Sequence, residues 1–136
     1  MAIIVEIIRV EDDGTLSFGD YISVEKHKVN DYAVAGDVYK VKTHKEITRL
    51  EKNGNLLLEA VPGASIHHFQ ANEKEITFLA EGFEDTSLTL ELEPGKEYSI
   101  YVDDMNVGSA KANLSGKVNF SAELGTEPQA IKLIKQ

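Results

Sequence analysis

Apolar and polar residues alternate through the stretch from Thr86 to Leu124. Leu88, Leu90 and Leu92 make one apolar row, and Tyr98, Ile100 and Val102 a second. Ala110, Ala112 and Leu114 make a third, and Val118, Phe120, Ala122 and Leu124 a fourth. Successive strand residues point to opposite faces, so each row predicts a strand with one buried and one wet face. Pro94-Gly95, Asp103-Asp104-Met105-Asn106 and Ser115-Gly116 fall between the rows as turns. Together they predict a four-strand antiparallel meander.

The first half reads the same way. Met1 to Val10 reads as a first strand, apolar on both sides from Ile3 onward and so expected to be covered on both faces. Glu11-Asp12-Asp13-Gly14 supplies a turn, and Thr15 to Val24 a strand kinked at Gly19-Asp20, with Leu16, Phe18 and either Tyr21 or Ile22 inward. Lys26 to Asp31 is polar and reads as a loop. Tyr32 to Val34 and Val38 to Val41 are short strands split by Gly36-Asp37. Thr43 to Lys52 has two readings. Thr43 with Glu46 makes a capping box, and Ile47 with Leu50 fits a helix; Asn53-Gly54 before Leu56-Leu57-Leu58 fits a hairpin, which is preferred. Val61-Pro62-Gly63-Ala64 and Glu93-Pro94-Gly95-Lys96 carry the type II signature of proline followed by glycine. Ser65 to Phe69, Glu75 to Phe83 and Thr86 to Leu92 follow as strands, and Ala130 to Ile134 closes a sheet.

No segment keeps a helical period. The expected class is all-β. Turns recur every ~8 to 12 residues after Pro62, the spacing of a β-sandwich, immunoglobulin-like or jelly-roll-like. We expect a smaller β-rich subdomain over residues 1-60 and a sandwich over 61-136, joined by an apolar interface; one elongated sandwich is the alternative.

The net charge is −9, from 14 basic and 23 acidic residues. No cationic track exists to displace counterions, so nucleic acid and anionic membranes are disfavoured as partners. Lys26, Lys28, Lys40, Lys42 and Lys45 fall at alternate strand positions, as edge-protecting lysines do. Cysteine is absent, which removes disulfides and thiolate metal sites and fits a reducing compartment. No apolar run is long enough to span a bilayer. The opening residues lack a basic start and a cleavage site, and Glu6 and Arg9 interrupt them, so no signal peptide is read there. A cytoplasmic location is expected, with cell-surface association as the other possibility.

Chemistry-bearing residues are scattered. Asp103, Asp104 and Asn106 offer oxygens of the kind calcium takes, but without the helix-loop-helix spacing, and a hairpin turn explains them better. His67 and His68 are neighbours, so a strand sends them to opposite faces and they do not chelate together. His27 and His44 lie among lysines. Ser65 and Ser115 lack the nucleophile elbow, no pair of carboxylates is marked for glycosidic cleavage, and no glycine-rich phosphate loop occurs. Asn113-Leu114-Ser115 matches a glycosylation acceptor but reads as a turn. Tyr98 has core parity, while Tyr101 and Tyr39 are expected to be exposed. No catalytic residue, metal or cofactor is therefore assigned.

Tyr98-Ser99-Ile100-Tyr101-Val102, the acidic turn, Val107-Gly108 and Asn113-Leu114-Ser115-Gly116 before a last apolar strand resemble accessory β-sandwich modules of bacterial carbohydrate-active and cell-surface proteins. The likeness spans residues 62-124 and consists of strand and turn grammar. The segment Gly14-Thr15-Leu16-Ser17-Phe18-Gly19-Asp20-Tyr21 also resembles small bacterial all-β proteins. A sialidase site is not supported: its Ser-x-Asp-x-Gly-x-Thr-Trp box is absent and Arg9 and Arg49 are the only arginines. The expected function is a non-enzymatic structural or protein-interaction module that offers a sheet surface or edge to another protein or to its own copies. The resemblance implies a carbohydrate-binding module as an alternative; a small hydrolase is a third.

Overall fold

The computed structural model describes residues 3–136, and every regular element in it is a strand. They are β1 (Ile8–Val10), β2 (Leu16–Phe18), β3 (His27–Val34), β4 (Asp37–His44), β5 (Ile47–Lys52), β6 (Asn55–Val61), β7 (Ser65–Ala71), β8 (Glu75–Glu81), β9 (Asp85–Glu91), β10 (Glu97–Val102), β11 (Met105–Lys111), β12 (Lys117–Glu123) and β13 (Gln129–Lys135). Two antiparallel sheets pack face to face. One runs β1-β2-β7-β8-β13-β10-β11 and the other β12-β9-β6-β5-β4-β3. The fold is thus an all-β sandwich, as the alternation implies.

The alternation also fixes the core. Leu50, Leu58, Leu88 and Leu90 from the second sheet meet Phe18, Ile66, Ile131 and Leu133 from the first, all with essentially no exposure. One buried cluster takes residues from Ile8 to Leu133. Strands of 1-60 and 61-136 share both sheets: β2 pairs with β7, and β6 pairs with β9. A division at Val61-Pro62 would cut through both ladders.

Where the chain crosses between the sheets matters for function. The connections 19–26, 62–64, 82–84 and 124–128 cross at one end, which they close. Only 92–96 and 112–116 cross at the other, so β1-β2-β7-β8 and β3-β4-β5-β6 meet there without a strap.

Several local expectations change. Three of the four rows from Thr86 to Leu124 fall on strands, but not as a meander: β9 pairs with β12, and β10 pairs with β11 in the opposite sheet. The third row fails, because β11 ends at Lys111 and Ala112 and Leu114 lie in the crossover to β12, with Leu114 97% exposed. Pro94-Gly95 and Asn113–Gly116 carry the chain across rather than back, a distinction that alternation does not encode. The first strand begins only at Ile8. Ile7 has φ 72° and its N–H donates to the Ile4 carbonyl, so a turn tucks Ile4 inward. Met1 and Ala2, where the expected strand began, lie outside the described residues. Lys26 to Asp31 is largely strand; it is polar because β3 is an edge, where only Val29, Tyr32 and Val34 reach the core. β13 does not close a sheet but lies between β8 and β10. The hairpin reading of 43–52 holds, with Asn53 (φ 51°) and Gly54 (φ 84°) at its tip.

The two Pro-Gly turns differ. Gly95 has φ 76° and Lys96 N–H donates to the Glu93 carbonyl, as a type II turn requires. Val61–Pro62 is cis and Gly63 is not left-handed, so no type II turn forms there. Gly63 is needed for a different reason: a Cβ would sit 2.1 Å from the His44 carbonyl oxygen. Gly36 is left-handed (φ 88°) in open space. Gly36→Ala should therefore cost only ~1 kcal/mol of conformational strain. Gly63→Ala must push two backbones apart and should cost more, a gap that urea unfolding midpoints of the two variants will measure; equal midpoints would refute the close approach.

Candidate functional site

Four places hold groups able to act on something else: the closed end, an outer-face cluster, the open end and the free strand edges.

At the closed end polar side chains turn inward. Thr48 Oγ1 donates to the Ala64 carbonyl at 2.7 Å, accepts the Ala64 N–H at 3.1 Å and lies 2.7 Å from Thr43 Oγ1. Thr43 Oγ1 accepts the Asp20 N–H, and Ser65 Oγ donates to the Gly19 carbonyl. Beside them Glu81 has no exposure at all. Tyr21 O–H donates to its Oε2 at 2.8 Å, and His67 Nε2 lies 2.7 Å from its Oε1. A carboxylate only accepts, so ionised Glu81 requires the Nε2–H form of His67. Burial first, then the bond to Glu81, raise the Tyr21 hydroxyl far above its ordinary range. The Phe83 ring lies edge-on to Tyr21, centroids 4.8 Å apart. No substrate reaches Glu81, and both of its oxygens are taken by protein partners. His67 is buried and His68 exposed, so the two do point apart, but not by plain alternation: Ser65, Ile66 and His67 are all buried, and left-handed His68 (φ 55°) turns outward where the β7–β8 register breaks.

On the outer face Asp13, Thr15 and His68 come together from 53 residues apart. Thr15 Oγ1 lies 2.9 Å and Asp13 Oδ2 3.2 Å from the same ring nitrogen, His68 Nδ1. A nucleophile relay needs the hydroxyl on one ring nitrogen and the carboxylate on the other. Here the Thr15 hydroxyl also donates to Asp13, which, with the Thr15 N–H, holds the Asp13 carboxyl below its usual range. Sequence reasoning had no signal for this cluster, because long-range pairing of β2 with β7 creates it. Next to it the Ser17 hydroxyl, and behind it the Arg9 guanidinium, lower the Glu11 carboxyl.

The open end leaves a cleft of about 570 Å³ between the sheets. Leu57, Phe69, Ile76, Leu90 and Tyr98 floor it, and Glu93 on its rim is held by Lys135 Nζ at 2.8 Å. The floor is close-packed core, so the cleft is shallow.

The remaining expected groups are occupied. Asp103 Oδ1 accepts the Ala130 N–H and Asn106 Oδ1 the Gly108 N–H, so this hairpin uses its own oxygens. Asn113 Oδ1 accepts from Ser115 and Lys117. Among the described residues no three His, Asp or Glu side chains converge as metal ligands. Tyr98 is buried, as its parity predicted. Tyr39 is buried rather than exposed, and Tyr101 is half-buried with Lys132 Nζ 5.6 Å from its ring centroid. No helix among the described residues is long and apolar enough to cross a membrane.

The edges differ most from one another. Each sheet ends in two strands with a free side, β1 and β11 in one and β3 and β12 in the other. β1 has three residues. β3 breaks register between Val29 and Tyr32, with Asp31 left-handed at φ 56°. β11 faces a break between Ile100 and Tyr101, and Asn106 covers the Gly108 N–H. Short length and bulges are the usual defences against unwanted pairing. β12 has neither: it pairs with β9 through seven uninterrupted positions, from Lys117↔Glu91 to Glu123↔Asp85. Its far side is the candidate functional site.

Comparisons of the chain with protein-family models, with curated proteins and with solved structures find no match.

Tyr21→Phe removes a donor from a buried carboxylate and should cost ~1.5 to 3 kcal/mol in urea unfolding at neutral pH. A depressed carboxyl adds stability that is present above its unfolded value and drains as pH falls through the lower folded one. Glu11→Gln should therefore weaken the protein at neutral pH and flatten the loss of stability below the 4.5 of an unperturbed glutamate; an unchanged acid limb would contradict the assignment.

Proposed function

We propose that this protein is a non-enzymatic interaction module, and that it works by accepting an extended strand along the free side of β12. The observation that carries the reading is the contrast among the edges: three are blunted and β12 is straight. Both main-chain groups of Lys117 are taken by Asn113, whose Oδ1 accepts the Lys117 N–H at 2.9 Å and whose N–H donates to the Lys117 carbonyl at 3.1 Å. Main-chain groups alternate in direction along an antiparallel strand. Asn119, Ser121 and Glu123 therefore present theirs to the same open side, with no partner among the described residues. Strand addition to such an edge draws affinity from main-chain hydrogen bonds and specificity from alternate side chains.

The titratable clusters support a non-enzymatic reading. One is sealed in the closed end, and the other directs hydroxyl and carboxylate to a single ring nitrogen. The carbohydrate alternative has less support, since Tyr39 is buried and the Tyr101 ring carries Lys132.

Amide spectra recorded while titrating capped extended heptapeptides of alternating Thr and Val, ending in Lys or Glu, test the proposal. The Asn119, Ser121 and Glu123 resonances should shift and their hydrogen exchange should slow. Shifts confined to the open-end cleft, or shifts seen only with soluble oligosaccharides, would overturn it.

A further inference from the structure

We infer that the cleft between β11 and β12 is a binding slot for an indole-type ring, a flat apolar body whose single N–H is accepted by Gln129 Oε1. The inference goes beyond the strand-accepting reading and does not rest on it.

It starts from one orphaned atom. Gln129 Oε1 is the one buried side-chain polar atom among the described residues with no hydrogen-bond partner. Gln129 opens β13 and shares the inward parity of Ile131 and Leu133, so its amide enters the sandwich instead of reaching water. A buried amide oxygen without a donor costs stability, and native folds leave few of them. Elsewhere this chain satisfies its buried side chains fully, as Thr48, Ser65 and Glu81 do at the closed end. An acceptor left open where an apolar residue would simply pack points to a donor that arrives from outside.

The orphan lines a cleft of about 460 Å³, a volume in the range of small-ligand sites. Buried Ala122 and Leu124 lie at its base, and half-buried Val102 and exposed Val107 stand at its side. Val107 is there because of the register break in β11. Gly108 pairs with Ile100 and Asn106 with Tyr101, which leaves Val107 as the extra residue. Bulges re-aim side chains, and this one leaves a valine 59% exposed beside the cleft.

The lining selects the ligand. A neutral amide oxygen does not offset the burial of a full charge, so a cation gains too little there. An anion would meet the lone pairs of Gln129 and the Glu123 carboxylate, which also lines the cleft. A sugar brings more hydroxyls than one acceptor among apolar side chains can satisfy. Indole is a donor only, with one N–H on an otherwise apolar ring. One donor on an apolar body matches one acceptor in an apolar slot. The chain contains no tryptophan, so a second copy does not supply the ring. A free indole compound and a tryptophan side chain of another protein both carry it.

The test is titration of the full chain with indole and with 1-methylindole, which has the same shape and no donor. Indole emission reads binding directly, because the protein has no tryptophan of its own. On binding, the emission should move to the blue, and the Val102, Val107, Leu124 and Gln129 side-chain resonances should shift. 1-Methylindole should bind about tenfold more weakly. N-acetyltryptophanamide distinguishes the sources: affinity equal to that of indole assigns a protein side chain, and exclusion assigns a free compound. Gln129→Leu should abolish the preference for indole while the urea midpoint stays level or rises, because no hydrogen bond is lost. Val107→Asp, at an exposed position, should weaken both rings. Equal affinity for the two rings, shifts away from the cleft, or a Gln129→Leu midpoint well below that of the unaltered protein overturns the inference. Such a failure leaves the strand-accepting reading standing, since the heptapeptide titration reads the β12 amides and not this slot.

Discussion

Backbone touching backbone at the closed end is the constraint on which this sandwich depends. Gly63 lies so near the His44 carbonyl that a methyl group would sit 2.1 Å from the oxygen, and a Cβ on Gly19 would lie 2.4 Å from the carbonyl of Ala64. These approaches bring the 62–64 crossover against β4 and β2, and the sheets meet at the spacing their leucines and phenylalanines fill. Close backbones shut out water, so every polar group caught between them needs a protein partner. Thr43, Thr48 and Ser65 supply those partners with short, stiff side chains. Glu81, Tyr21 and His67 follow from the same demand. Glu81 is tolerable without exposure because each of its two oxygens has a protein partner, and removing either partner would leave that oxygen with nothing to replace the water.

The opposite end has the opposite character. Only two connections cross there, and the sheets part into a shallow cleft whose rim is ion-paired. In the strand-accepting reading proposed above, this difference separates the groups that hold the fold from those left to bind. The polar groups that look most like chemistry are engaged in holding the closed end or the outer face, while ordinary main-chain amides along β12 are unengaged. Interaction through an edge needs no unusual side chain, only a strand left straight.

Much of the fold was legible in the sequence, because alternation with period two is a direct record of which residues face the core. Leu88, Leu90, Tyr98, Ile100, Val118 and Ala122 are all buried where the pattern put them. Which sheet a strand joins was not legible. A turn such as Pro94-Gly95 reads alike whether it returns the chain to a neighbour or sends it across, and that choice is made by long-range packing. β3 misled for a related reason: an edge strand with one half-buried row looks like a loop. Tyr39 was misread because its burial depends on a sheet opposite rather than on its neighbours. Of the candidate site, the sequence showed that β12 is a strand. That it is an edge, and straighter than the other three, exists only once all thirteen strands are ordered.

The placement of β13 has a consequence for folding. It is the last strand in chain order yet lies in the middle of its sheet, hydrogen-bonded to β8 on one side and β10 on the other. Until those seven residues dock, β8 and β10 have no shared neighbour, and each exposes a row of unpaired amides. The sheet therefore closes through contacts between strands far apart in the chain, and a folding intermediate that lacks β13 has two unpaired edges in its middle.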